Sequence, residues 1–599
     1  MIGRTAPKHV TVPQGDTPDH DAFPPARGGR DGPGKPSLAP QNGPANLESL
    51  PHPDPAFRSD AGRPGGWFLS SPSTAAMGLY VPATIVIRLI NLVRVIMFTW
   101  FMTTQQFGLL NMLLLVINVL TPVCSLGLNE AVTRYVPQQE SRGTVTGFLR
   151  RSLLLVALTT VAAMTVLIVV APYTGVRFYG QLVYDQAIRE IVQTQFSELT
   201  RLSALVIGLL GFYFFVLAIL KGLRMFRALV LIEFLHSTAF LLLALAACVA
   251  ERQSAKSMTV CYGLSLLAAL TLCGFGLQRA VSRWSGQDRP CDAPDLYRRM
   301  LSFSRWAMIS GFTWQLLQYY PAWYLNKVMG NDAVAVFSAV RQVGQFILLG
   351  AVTLVTVVMT AVTKTWETHG VDAADRQLSL AFRGAGTIMF FGCAVLALGR
   401  NVVIQMFNPS YAPGADILPL QLLFFLVSGN FAFIALHFNL IEKPRMLFLP
   451  YAVGVAANIL VAYWLVRRPD ILAALPGWQT VSAAASAVLC TGLSDPLGLG
   501  AAAWAGATAI LASLVACLVL LRAERRPIDR GSAVVLAAAL LLGLNDLILI
   551  LGAAVFAFFV WRTELVFSRA ERRNLVGYAF AAAGTLVNGS PGAHHHAAD

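Results

Sequence analysis

Arg88 and Arg94 are the only charges in the first long apolar segment of the chain, Tyr80 to Phe101. A guanidinium in bilayer hydrocarbon costs at least roughly 2.5–3.5 kcal/mol. It survives there only by facing a protein interior or a wet cavity, where its planar fork suits an anionic oxygen ligand. Arg341, in a later apolar segment, has Gln342 and Gln345 beside it; Arg341 and Gln345 are i,i+4 and share a helix face. Gln315, Gln318 and Tyr319 fall at i, i+3, i+4 and form one polar stripe that could bond to and stack on sugar rings. Glu233 and His236, an i,i+3 pair, could carry a coupled proton.

Each of these has a plainer reading. Either arginine of the first segment could bond to helix carbonyls. The two lie six apart, about 240° around a helix, so Arg88 is the better cavity charge and Arg94 the better partner for a neighbouring helix. Gln315, Gln318 and Tyr319 could belong to an aromatic interface belt, as Trp323 and Tyr324 do. Glu233 and His236 could be a locally satisfied pair near the headgroups. Asn118, His437, Asn439 and Asn458 read as interhelical hydrogen-bond partners.

The elements that must position these groups are membrane helices. Of the 599 residues, 56% are hydrophobic and 13% charged, and mean hydropathy is +0.60; this is a polytopic membrane composition. The net charge of +14 falls in short loops between apolar segments, which is orientation signal and argues against nucleic acid as a partner. Most of the 8 cysteines sit in apolar spans and none forms a C-x-x-C pair, so they read as packing residues. No G-x-x-x-x-G-K-[ST] loop is present. No metal site or cofactor is expected; His594-His595-His596 is too short a tract to claim one.

Residues 1–75, rich in Pro, Gly, Asp and Arg, read as a disordered cytoplasmic tail without a cleavable signal. Spans of about 20 residues are expected near 77–101, 107–128, 148–172, 202–220, 228–250, 258–277, 301–325, 334–362, 382–406, 414–436, 446–466 and 498–521. Ala533 to Trp561 is long for one span, and is expected to be two short helices turning at Gly543-Leu544-Asn545-Asp546. The basic residues decide this. Arg134, Arg142, Arg150, Arg151, Lys221, Arg224, Arg227, Lys364, Arg376, Arg383, Lys443, Arg445 and Arg522 to Arg530 fall on one side, with Arg562 to Arg573 of the C-terminal tail, when the span number is even. Ile471 to Cys490 is kept as an outside loop, because an added crossing would reverse that pattern. The longest outside loops are then Val176 to Arg201 and Arg467 to Leu497.

The expectation is an all-α polytopic protein of about 14 transmembrane helices, with both termini cytoplasmic. A faint repeat divides it. The turn Gln105 to Asn111 after the first span has a counterpart in Gly330 to Ser338 after the seventh. Two pseudo-symmetric six-helix lobes follow, 76–281 and 301–530, joined by a cytoplasmic loop at 282–300. Residues 531–562 add a C-terminal helical hairpin and 563–599 a cytoplasmic tail.

Four passages carry a family resemblance. They are Gln106-Phe107-Gly108-Leu109, Ser125 to Tyr135, Leu220-Lys221-Gly222-Leu223-Arg224-Met225-Phe226, and Asn408 to Ala415 with Leu418. In their order and intervals they resemble the oligosaccharide flippases of the multidrug/oligosaccharidyl-lipid/polysaccharide exporter superfamily. The resemblance implies two lobes around a central cavity, alternating access, and a polyprenyl-diphosphate-linked oligosaccharide as cargo in cell-surface polysaccharide synthesis (lipopolysaccharide or exopolysaccharide). It also implies a bacterial inner membrane as location and polysaccharide polymerase or export proteins as neighbours. The Arg-x5-Arg of the first span is similar to the lipid II flippases, which keeps a peptidoglycan precursor as the alternative cargo. The first two spans hold no Asp or Glu before Glu130, which departs from the cation-handling multidrug branch. The tail is longer than the family pattern needs.

Two other classes compete. A glycan polymerase, ligase or glycosyltransferase needs a catalytic acid–base cluster on a large solvated loop, and the two longest outside loops hold scattered charges and no His. A transport-inactive scaffold would depend on the basic tail to recruit partners.

Overall fold

The computed structural model describes residues 73–182, 186–284, 294–440, 443, 445–467, 488–490, 498–524 and 528–573. The N-terminal tail, the centre of the expected inter-lobe loop and the end of the C-terminal tail lie outside these. The described residues are helical, with one isolated bridge between Leu489 and Leu544. Backbone groups in hydrocarbon must be satisfied within their own segment, and the helix does this.

In chain order the helices are α1 (Ser73–Phe101), α2 (Thr104–Cys124), α3 (Leu128–Arg142), α4 (Val145–Leu182), α5 (Gln186–Gly222), α6 (Phe226–Val249), α7 (Ala255–Trp284), α8 (Pro294–Met329), α9 (Asn331–His369), α10 (Val371–Leu398), α11 (Arg400–Gln405), α12 (Gly414–Leu440), α13 (Arg445–Ala462), α14 (Leu499–Ala523), α15 (Arg530–Ala539) and α16 (Asp546–Arg562). Among the described residues, 11 helices are long and apolar enough to cross a membrane. The amides and charges of α8 and the shortness of α15 and α16 keep those three out of that set. Outward apolar side chains such as Leu154, Leu158 and Val161 on α4 are more than half exposed, as a lipid-facing surface requires.

Several expected boundaries are corrected. Helices α4 and α5 run to Leu182 and from Gln186, so the expected outside loop from Val176 to Arg201 is nearly all helix. Helix α9 runs on to His369 and α10 starts at Val371, through residues expected as a loop. The expected ninth span, 382–406, stops at Leu398, and Gly399 separates it from α11. Helix α3 occupies a segment expected to be loop. Hydropathy registers bilayer thickness, whereas helix ends are set by caps and turns, and these helices continue beyond their apolar stretches.

The hairpin turn falls where expected. A 3₁₀ turn at Leu540–Gly543 is followed by Asn545, whose side chain accepts from Ile548 N to cap α16. The hairpin is tied to α11 at one end and to α10 at the other. Arg400 reaches Asp546 at 2.6 Å. At the other end Arg383 bonds Glu571 at 2.7 Å and Asp529 at 3.6 Å.

Helices α13 and α14 run antiparallel. Lys443 meets Glu524 at 2.8 Å, and Gly454 lies against Ser513 and Ala509. The chain therefore re-enters at the end where α13 left it. Most of Ile471 to Cys490 lies outside the described residues, but Cys490 donates to Gly543 O and Asn545 N to Val488 O, placing 488–490 beside the hairpin turn.

Candidate functional site

Helices α1, α5, α6 and α7 build a polar cluster inside the bundle. On α1, Arg88 and Arg94 are both half-buried. The Nε atom of each is buried with no hydrogen-bond partner, and neither forms a salt bridge among the described residues. The Arg94 guanidinium lies 4.2 Å over the Phe240 ring of α6, so Arg94 meets a neighbouring helix as its position suggests. Arg88 sits about 9 Å along the axis from Arg94. It is within electrostatic reach of Tyr80 and Tyr213, as is Glu233. The 240° between the two arginines does not isolate them, because their charges remain within electrostatic reach of one another.

The Glu233–His236 pair is not one hydrogen-bonded unit. His236 Nδ1 meets Ser265 Oγ of α7 at 3.1 Å, within a cage of Tyr213 (5.1 Å between centroids), Tyr262 (5.5 Å) and Phe240 (6.5 Å). Glu233 leaves its Oε2 buried and unpartnered. Tyr80, Tyr213, Tyr262 and Ser265 are the members that sequence reasoning missed. Tyr213, Tyr262 and Ser265 lie on other helices than the arginines, so no spacing within one segment reports them; Tyr80 shares α1 with the arginines, eight residues before Arg88.

On the other side, Arg341 of α9 is only 3% exposed. It donates to the Gln318 backbone oxygen and, at 2.8 Å, to Gln318 Oε1. Its guanidinium stacks 4.0 Å over Tyr319 and 5.6 Å from Phe425. Pro321 inside α8 cannot bond back to the Leu317 oxygen; Asn458 Nδ2 of α13 does so instead, at 3.2 Å. Arg341 and Asn458 thus hold the proline-interrupted stretch of α8 from two sides. Of the stripe, Gln318 and Tyr319 are turned onto Arg341, while Gln315 is half-buried. Gln345 is half-buried one turn beyond Arg341.

Tyr262 of α7 is within electrostatic reach of both Arg94 and Tyr319. Arg94 and Arg341 therefore flank one group of aromatic rings, Phe240, Tyr262 and Tyr319, contributed by α6, α7 and α8. Beyond it, toward the α1–α2 turn, the packing closes. Thr104 Oγ1 bonds the Asp332 carboxylate, Trp100 Nε1 donates to Met406 O at 3.1 Å, and Phe107 packs edge-on to Tyr411 at 6.1 Å. A Cβ on Gly108 would fall 2.2 Å from the Asn331 oxygen, so only glycine permits this approach. The motifs around Gly108 and Asn331, paired in the sequence as repeats, touch in space.

This fold is shared with solved transporters. A multidrug-resistance MATE transporter of the MOP superfamily in an outward-facing conformation is 15% identical with a TM-score of 0.57, covering 78% of this chain and 98% of that one. A MOP-superfamily transporter from Pyrococcus furiosus, described as having a binding pocket of reverse polarity, is 14% identical with a TM-score of 0.56, covering 77% and 98%. An inward-facing MATE structure gives 14% and 0.53, covering 74% and 97%. No curated protein matches the chain in sequence. The class is thus a multi-pass helical membrane protein with the MATE fold. Residues 74–366, close to half of the chain, match the family of polysaccharide biosynthesis proteins, and the fold is similar to that of the MOP-superfamily transporters.

Proposed function

We propose that this protein is a flippase that carries a polyprenyl-diphosphate-linked oligosaccharide across a bacterial inner membrane by alternating access, for cell-surface polysaccharide synthesis. The observation that carries the reading is the pair Arg88 and Arg94. Two guanidinium groups are held inside a membrane bundle with buried Nε donors that no acceptor among the described residues meets. A diphosphate offers both the charge and the forked acceptors that such groups select. The match of residues 74–366 to polysaccharide biosynthesis proteins supports a glycan as the rest of the cargo. Helices α1 to α7 and α8 to α14 act as the two lobes, with α8 as the element shared along their boundary. Both termini face the cytoplasm in this reading. Polysaccharide polymerase or export proteins stand as neighbours in the same membrane.

The test is made in cells that depend on the protein. Arg88→Ala at normal membrane abundance is expected to abolish surface glycan and to accumulate the lipid-linked precursor. Normal glycan output from that variant contradicts the reading.

A further inference from the structure

A second group of side chains stands apart from the arginines and has opposite character. Trp314 of α8 packs on Tyr451 of α13 with ring centroids 5.2 Å apart, and Tyr451 packs on Phe431 of α12, also at 5.2 Å. Phe431 is 1% exposed and backs the group; Trp314 and Tyr451 keep part of their surface exposed. Helix α8 is flanked by α2, α3, α9, α13 and α14. Trp314 therefore sits on a helix surrounded by other helices of the bundle. Tyr451 faces inward, toward Phe431, Trp314 and Cys517, while its helix neighbours Leu449 and Val453 are exposed on the other side.

Glu130 completes the arrangement. It is exposed, lies in the first turn of α3, and is within electrostatic reach of Tyr451. Its place is fixed by the break between α2 and α3. There Gly127, at φ 65°, seats against α8 so closely that a Cβ would fall 2.5 Å from the Ser304 oxygen. An aromatic shelf beside a carboxylate recognises a sugar ring: the ring's C–H face lies on the aromatic surface, and its hydroxyls donate to an acceptor-only group. The same carboxylate repels a diphosphate. The two ends of the cargo are therefore sorted to different places.

We propose that Trp314, Tyr451 and Glu130 form a sugar-reading subsite that takes a neutral pyranose ring of the cargo, apart from the arginines that take its diphosphate. This rests on the flippase reading and names the chemistry of a second part of the same cavity. A site that bonds to hydroxyls discriminates against rings that lack them, so this subsite gives the protein its preference among lipid-linked glycans.

The experiment measures binding by the purified full-length protein in nanodiscs, with two probes. One is farnesyl diphosphate and the other is the same lipid diphosphate carrying one N-acetylglucosamine. The readout is the ratio of the two affinities. The unaltered protein is expected to bind the glycosylated probe roughly three- to tenfold more tightly. Trp314→Ala and Tyr451→Ala are expected to bring the ratio to about one, Trp314→Phe to retain most of it, and Glu130→Gln to halve it roughly. Arg88→Ala weakens both probes together, so failure of the phosphate reading shows as indifference to that variant and is separate from failure of the shelf. A ratio of one in the unaltered protein, or a full ratio in the Trp314 and Tyr451 variants, overturns the proposal. Should the alanine variants lose their fold, a full ratio in Glu130→Gln overturns it, because that side chain lies exposed on a turn.

Discussion

Arg88 and Arg94 share one helix, yet their surroundings differ. Arg94 lies over the Phe240 ring, a contact that holds a cation without neutralising it. Arg88 has phenol groups within reach and, among the described residues, a buried Nε with no hydrogen-bond partner. It is the freer of the two for an incoming anion. Arg88→Lys should keep the charge but lose the fork, and should weaken diphosphate binding roughly tenfold, with Arg88→Ala weaker still; isothermal titration with farnesyl diphosphate measures both. Arg341 behaves otherwise. Because it is committed to the Gln318 carbonyl and side chain, Arg341→Ala is expected to lower stability by about 1–3 kcal/mol, read as a fall in the thermal midpoint of purified protein. Arg88, Arg94 and Arg341 were all legible as unusual residues from their apolar surroundings. Their partners were not, because Tyr213, Tyr262 and Ser265 come from other helices, and a single sequence does not encode interhelical register.

Among the elements, α8 and the terminal hairpin carry the most information. The i, i+3, i+4 stripe of α8 was readable as one face, but Pro321 changes what that face must do, drawing Asn458 and Arg341 onto its carbonyls. The hairpin was readable from Asn545 and the surrounding turn residues, since those residues themselves make the cap. Its fastening was not. Arg383, which reads as a loop charge, is instead a helical hub joining Ser379, Asp529, Val566 and Glu571. Burial pushes the Asp529 carboxyl up, but bonds from Ser379 and Ser532 and the Arg383 charge outweigh this and hold it below the ordinary carboxylate range. At Glu571 burial is likewise outweighed, by Arg383 and Ser568. A depressed folded-state value stabilises the fold above the ordinary carboxylate range, and that contribution is lost as pH falls through the folded-state values. The thermal midpoint should therefore drop on acidification below about pH 4. The double variant Asp529→Asn, Glu571→Gln should show a flatter dependence; an identical acid profile would rule out the clasp as its source.

At the scale of the whole molecule, contacts among α2, α9 and the segment before α12 close the end at the α1–α2 turn. In the proposed alternating-access cycle this end opens. A Thr104→Cys, Asp332→Cys pair replaces the bond between those side chains with one that an oxidant can close. Oxidation is expected to stop transport and reductant to restore it, while full transport by cross-linked protein would exclude opening at this end. The overall fold was legible in hydropathy and loop charge because the bilayer imposes a fixed length on each span. The meeting of the Gly108 and Asn331 motifs was visible only as a repeat, and that they touch follows from the tertiary packing. The central claim is that unpaired arginines inside the bundle carry a lipid diphosphate across. It is tested most directly in proteoliposomes, by following a fluorescent polyprenyl-diphosphate oligosaccharide as it becomes accessible in the opposite leaflet. Translocation by the unaltered protein and its loss in Arg88→Ala, with equal reconstitution, is the result expected; equal rates in the two, or no translocation by either, would contradict the account.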